Sequence, residues 1–365
     1  MAGLAASASA QDKLDRALRE ASRSGKAERV IFKSKAGYEA WARKLLTDSG
    51  KNIDAELPSV GSFTVELTAG EMEVLCNSTV SDGCSVDAVV SPSARPRKGA
   101  PLAAFFAPQV NTLLRTLGLA PNSFGGLGVT VALIDSGIYP SAAFDKRIKA
   151  FYDFTDGGIR SAHPFDDYGH GTHVAGLIGG QQSLTDLAFE GVAPSVQFVG
   201  LKVLDKTGSG KTSNVIRAIE FAIANRAKYD IDIINLSLGH PIYEPAATDP
   251  LVQAVERATK AGIIVVAAAG NRGVNTETGL PGYAGVTSPG NAPSAITSGA
   301  LMTKDTVSRN DDRIPDYSSS GPSWYDAFVK PDLLAPGHNI VAIAARNGAL
   351  YKKYPNLRAA DADYM

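Results

Sequence analysis

The sequence lacks most of the features that mark a specialised protein class. No apolar run approaches the ~20 residues that cross a bilayer as a helix. Neither sign of charge is in excess: 36 Lys and Arg stand against 37 Asp and Glu, a net charge of −1. Nothing therefore directs the chain to nucleic acid or to a membrane surface. Cysteine is confined to Cys76 and Cys84, neither with a partner at metal spacing, which argues against the common zinc sites. One short-loop disulfide and two buried thiols fit that pair equally well, so the compartment is not fixed. The N-terminus has neither the basic start nor the long apolar core of a complete signal peptide. Ala8-Ser9-Ala10 does have the small-residue form of a cleavage site, and a disordered Ala/Ser tail explains it as well. What is present, 44% hydrophobic and 20% charged over 365 residues, suits a globular protein with room for two domains.

Residues 1–27 read as a disordered tail or the remnant of a signal peptide, and 28–90 as a small α+β unit. Val30-Ile31-Phe32 is a short strand. Tyr38 to Leu46 has helical spacing, with Tyr38, Trp41, Leu45 and Leu46 on one face. Ser62 to Leu67 alternates as a half-buried strand, and Thr68 with Glu71 forms a capping box for a second helix. Val86 to Val90 closes the unit with a strand. The β-α-β-α-β order is compatible with a ferredoxin-like arrangement. Residues 91–107, rich in Pro, Ser, Arg and Lys, read as a linker open to proteolytic nicking.

From 108 to 365 strands and helices alternate. Strands are expected at 129–134, 196–204, 231–236, 263–268 and 295–300, with helices at 111–119, 170–178, 212–228 and 249–260. This order predicts an α/β domain, a three-layer parallel sheet with helices on both faces. Such sheets put their sites at the carboxyl ends of the strands, where Asp135, Ser237 and Asn271 all fall.

Three of these residue types have catalytic uses. His170, flanked by glycines at a helix start, can act as a general base, though a packed structural histidine fits too. His173, three residues on, is its rival. A metal on the pair lacks the four-residue spacing with an intervening Glu used by metalloprotease helices. Asp135 can orient an imidazole, as readily as it can serve as an ordinary turn residue. The Asn271 amide can donate to a developing oxyanion, and Gly-Asn is also common turn chemistry. Two lookalikes fall away. Gly208-Ser209-Gly210-Lys211-Thr212 lacks the first glycine of a phosphate loop, with Asp205 in its place. Asp48-Ser49-Gly50, set beside Asp135-Ser136-Gly137 as an aspartic-protease pair, lies at a helix end.

Together these stretches resemble the subtilisin-like serine proteases (subtilases). Val131 to Ile138 resembles the family's aspartate motif, and His170-Gly171-Thr172-His173-Val174-Ala175-Gly176 its histidine motif, in which the first histidine is catalytic. Asn235 to Gly239 resembles the substrate-binding strand and Ala267 to Asn271 the oxyanion segment. Tyr317 to Pro322 and Lys330 to Gly337 are similar to later structural motifs. The resemblance implies a secreted or cell-envelope serine endopeptidase acting by acyl transfer. Asp135 and His170 would be catalytic and Asn271 would serve the oxyanion. Extended polypeptide would lie between Gly208, Ser209, Gly210 and Ser237, Leu238, Gly239. The first pocket would be walled by Ser237–Gly239 and by Ala268, Ala269, Gly270, with 285–290 at its base. The resemblance implies no cofactor for the chemistry, admits a structural calcium with no site assignable, and casts 28–90 as a propeptide that inhibits its own protease. Self-cleavage would fall within 91–107.

The family's Gly-Thr-Ser-Met-Ala nucleophile motif is absent. The expected position is beyond Met365, so the 365 residues are read as a fragment, inactive alone, of an active parent. Ser318, Ser319 and Ser320 match a structural motif and substitute poorly. Two other classes compete: a pseudoprotease that only binds peptides or partners, and a metallohydrolase built on His163, His170 and His173.

Overall fold

The computed structural model describes residues 13–93, 109–119, 125–184, 187–275, 277–304, 306–358 and 365. The expected Ala/Ser tail, its cleavage-like site and most of the 91–107 linker lie outside these residues.

The N-terminal unit contains α1 (Arg16–Arg23), β1 (Glu28–Ser34), α2 (Glu39–Asp48), β2 (Ile53–Leu57), β3 (Ser62–Leu67), α3 (Ala69–Leu75) and β4 (Ser81–Val86). Its antiparallel sheet has the order β2-β3-β1-β4, the ferredoxin-like arrangement. The alternation of β1 divides its two faces. Val30 and Phe32 join a core with Leu18, Leu46, Met72 and Phe63, whereas Ile31 faces the other way, into the core of the second unit. The Thr68–Glu71 capping box is present at α3.

Three expectations need correction. Residues 16–23 are a helix: Asp15 caps it by accepting Leu18 N at 2.7 Å, and Leu18 and Ala21 are buried. The unit therefore begins well before residue 28. On α2 the buried residues are Ala42 and Leu46, while Tyr38 and Trp41 are 47% and 64% exposed, because the sheet lies under the other side of the helix. The closing strand is two strands: β4 ends at Val86, and β5 (Val89–Pro92) leaves the unit altogether. The start of the expected linker is thus ordered backbone. Cys76 and Cys84 form a disulfide inside the N-terminal core. By loop closure a bridge of this span stabilises by about 2.5 kcal/mol.

The second unit starts with α4 (Gln109–Thr116). It continues through β6 (Thr130–Asp135), β7 (Ile148–Asp153), β8 (Arg160–Ser161), α5 (His170–Gly179), the hairpin β9 (Gln181–Leu184) and β10 (Leu187–Glu190), and β11 (Gln197–Lys202). Then come β12 (Gly210–Lys211), α6 (Thr212–Ala224), α7 (Arg226–Tyr229), β13 (Ile231–Leu236), β14 (Leu238–Gly239), α8 (Pro250–Lys260), β15 (Ile264–Ala268), β16 (Ile296–Leu301), β17 (Leu333–Pro336) and α9 (Ala349–Lys353). The main sheet runs β17-β16-β15-β13-β6-β11-β7-β8, parallel except for the edge strand β8. All six residues of β6 are buried, as a central parallel strand requires. Val131 and Leu133 pack toward α5, and Ala132 and Ile134 toward α6 and α8. That split is the three-layer sandwich.

Candidate active site

The carboxyl ends of β6, β13 and β15 lie side by side, because β6 pairs with β13 and β13 with β15. Asp135 ends β6, Ser237 follows β13, and Asn271 follows β15 beyond Gly270. Helix α5 begins at His170, next to the end of β6. The approach is close: a Cβ on Gly171 would sit 2.2 Å from Gly137 O and 3.1 Å from Asp135 Cβ. Only glycine lets the helix start touch the strand end, which is why the histidine is followed by Gly171.

His170 Nδ1 and Asp135 Oδ1 are 2.7 Å apart, with Asp135 fully buried. Burial alone would push the imidazole down. The Asp135 carboxylate, by charge and by hydrogen bond, with Asp166 behind it, holds His170 above its ordinary value. His173 does not share this environment. It is hydrogen-bonded to Ile340 O at 3.1 Å and is pushed down to about 4 by burial and by the neighbouring His170. The two histidines of the helix are thus separated chemically: one is paired with a carboxylate and the other is held neutral.

Sequence reasoning passed over the support behind this pair. Asp166 accepts from Ser136 Oγ at 2.9 Å, Tyr168 N at 3.1 Å, Gly169 N at 2.7 Å, and Thr172 N and Oγ1 at 2.9 and 2.6 Å. Ser136 Oγ in turn accepts Gly171 N at 2.9 Å. Asp166 therefore ties the strand end to the amide-rich start of α5, where a negative charge is favoured. An acid just ahead of a helix start was the available signal. Lys202, 1% exposed at the end of β11, reaches Ser136 O, Asp167 and Leu204 O at 2.6–2.7 Å.

Part of the chain pairs with the residues expected to bind substrate. Strand β5 runs antiparallel to both β12 and β14. Val90 is opposite Gly210, Pro92 opposite Leu238, and Ser91 opposite Gly239. Ser93 N donates to Ser237 O at 2.9 Å, and the Asn271 side-chain amide donates to Ser93 O. Gly208, with φ of +78°, lies against the Tyr168 ring, so the glycine meets a need of the backbone and of close packing. The stretch 285–290 packs on the expected pocket walls: Thr287 N donates to Ala269 O, and Ser288 and His240 exchange backbone bonds. Ser319 donates to Gly285 O and Ser318 accepts Ala300 N, so both are engaged away from His170. Among the described residues no three His, Cys, Asp or Glu converge as a metal site.

A family model described as the subtilase family (Peptidase S8) matches residues 126–364. The chain belongs to the subtilase family. Among its relatives, the serine protease AprX of Bacillus subtilis (strain 168) is 40% identical over 232 residues, 62% of this chain and 50% of that protein. Subtilisin E of the same organism is 35% identical over 228 residues, 62% of this chain and 51% of its own length. The subtilase chain thus spans about half the length of these curated relatives. A crystal structure of fervidolysin from Fervidobacterium pennivorans, a keratinolytic enzyme related to subtilisin, superposes with a TM-score of 0.65 at 16% identity. That match covers 93% of this chain and 49% of the other. At that identity the likeness concerns the fold, and its extent takes in the N-terminal unit as well as the subtilase domain.

Proposed function

We propose that this chain is part of an exported serine endopeptidase that hydrolyses extended polypeptides by acyl transfer. In this reading His170 takes the proton of a serine encoded beyond residue 365. Asp135 orients the ring and stabilises its protonated form, and Asn271 holds the oxyanion. The N-terminal unit is the intramolecular inhibitor, because its β5 fills the cleft that substrate would use. The observation that carries the reading is the buried Asp135–His170 pair at 2.7 Å, aligned beside an amide that already holds a peptide carbonyl.

The test is to express the complete gene product and treat it with a serine-directed fluorophosphonate, then assay hydrolysis of a chromogenic peptide. Labelling and turnover, both lost in His170→Ala, are expected. A protein that binds peptides but neither labels nor turns over would be a pseudoprotease, and the enzymatic reading would fall. Turnover abolished by a chelator, without unfolding by circular dichroism, would instead favour metal-dependent hydrolysis.

A further inference from the structure

We propose that Tyr243, Trp324 and the carbonyl of Ile242 form a guanidinium site, held here by Arg16, that takes an arginine side chain of the polypeptide substrate once the N-terminal unit has left. The proposal deepens the serine-endopeptidase reading and rests on it.

The site is built around one cation. Arg16, the first residue of α1, holds its guanidinium carbon 5.8 Å from the centre of the Tyr243 ring and 6.0 Å from that of Trp324. Its Nη2 donates to Ile242 O at 3.3 Å, and its backbone N donates to Tyr243 O at 3.1 Å. Two rings and a carbonyl suit a guanidinium better than an ammonium. The planar group stacks on an aromatic face and still directs an N–H outward in its own plane.

The walls are fixed by bonds of their own. His240 stacks on Tyr243, with ring centres 5.7 Å apart and planes 8° apart. Tyr325 OH donates to Tyr243 O at 3.1 Å, and Asp326 Oδ2 accepts Ala246 N at 2.9 Å. These two bonds tie the loop that carries Trp324 to the segment that follows β14. Inside the loop, Ser323 N donates to Phe328 O at 2.9 Å and Phe328 N to Ser323 Oγ at 3.1 Å. Tyr325 and Ala327 have φ of +66° and +54°, a left-handed backbone that costs a residue with a side chain about 1–2 kcal/mol. Burial does not account for that cost, because Trp324 and Tyr325 are still 49% and 44% exposed. Strain kept in a half-exposed aromatic loop is characteristic of a ligand clamp.

The position of the clamp gives its later occupant. Strand β14 leads straight into His240 and Tyr243, and it runs antiparallel to β5. The rings therefore lie off the N-terminal end of any strand seated as β5 is. Tyr243 lines one cavity with Asp15 and Val86, and Val86 stands just ahead of β5. Asp15 Oδ2 accepts Val86 N at 2.6 Å, which holds the neighbouring Arg16 at the same place. A long side chain a few residues upstream of the seated stretch reaches the rings from there. Arg16 belongs to the unit that substrate must displace, so its departure leaves the rings and the Ile242 carbonyl without their cation. Binding at this distance from the bond to be cut is the same in ground and transition states. It lowers KM and leaves kcat alone.

The test uses the matured product of the complete gene and a set of synthetic peptides. Each peptide joins a short Ser/Gly leader to residues 88–97, the stretch that contains β5. One leader position at a time carries arginine, its neutral isostere citrulline, or lysine. At one position arginine should lower KM about 5-fold against citrulline at unchanged kcat, with lysine between the two. In the Trp324→Leu enzyme that ratio should fall to about 1. The series on the unsubstituted enzyme decides the matter even if the variant fails to fold. Hydrolysis with equal KM for the three residues at every leader position overturns the site and leaves the protease reading intact. An arginine advantage that survives Trp324→Leu, or that falls on kcat, does the same. Hydrolysis of none of the peptides overturns both.

Discussion

Two of the places where this molecule buries carboxylates handle them in opposite ways. At the rim that carries Asp135 and His170 donors gather on them: five converge on Asp166, and Asp135 Oδ1 receives His170 Nδ1 and Ser136 N. At the seam between the two units, Asp15 of the N-terminal unit and Glu244 of the subtilase domain line one small cavity with Ser85, His240, Tyr243 and Asp249. There Lys33 is the cation, 2.7 Å from Glu244 Oε2. Burial pushes Asp15 up to about 7 despite bonds from Leu18 N and Val86 N, with Glu244 adding to the rise, and burial raises Glu244 too. The rim is built to hold a geometry. The seam is built so that charge weakens it.

The sharpest way to break this contrast is at the rim. In the complete gene product His170→Ala should lower kcat by on the order of 10⁶, the loss that removal of the histidine causes in subtilisin. His173→Gln should leave kcat within about tenfold and appear instead as lost stability, because a buried neutral histidine serves packing. Comparable loss of turnover from both variants, in hydrolysis of a chromogenic peptide, would erase the distinction between the two rings. Next comes Gly171→Ala, whose Cβ meets backbone rather than a yielding side chain. It should cost about 3 kcal/mol in urea unfolding of this chain. A neutral result would mean that α5 and the end of β6 do not need their close approach.

On the seam side, Cys84→Ser should remove about 2.5 kcal/mol from the N-terminal unit by opening its loop. The loss should register as faster amide exchange in β1, β3 and β4 but not in β6 or β11. The smallest effect concerns pH. The folded-state value of Asp15 lies above its unfolded value. Its contribution is therefore complete below the ordinary carboxylate range and is lost as pH rises through about 7. Docking of the N-terminal unit should loosen between pH 6 and pH 9, read as exchange protection of 28–34 in the intact chain. The change should be about tenfold or less, and Asp15→Asn should flatten it. Docking that tightens with pH would reverse the assigned sign.

The parallel sheet, Asp135 and Asn271 were legible from the apolar strand runs just before those two residues, and His170 from the glycines that flank it at a helix start. A strand that is apolar throughout and ends in an acid is a local pattern. The seating of Ser93 was not legible, since its partners Ser237 and Asn271 lie 144 and 178 residues away and leave no local trace. Helix α1 was hidden by its composition: Arg16 to Arg23 offers only Leu18 and Ala21 to the core, and it is the Asp15 cap and the packing that stabilise it. On α2 the reading counted large apolar residues and missed that small Ala42 marks the packed side. Asp166 escaped because an acid among loop residues looks like solvent-facing charge until the amides it gathers are seen.

The disulfide has a consequence for the chemical environment in which such a protease works. Both cysteines lie before residue 93, and none occurs from 94 to 365. The stretch that matches the subtilase family, residues 126–364, therefore contains no thiol to oxidise and no bridge to reduce. Within this chain, sensitivity to the redox state of the surroundings belongs to the N-terminal unit alone. A reductant should loosen that unit and leave the parallel sheet beyond it unaffected.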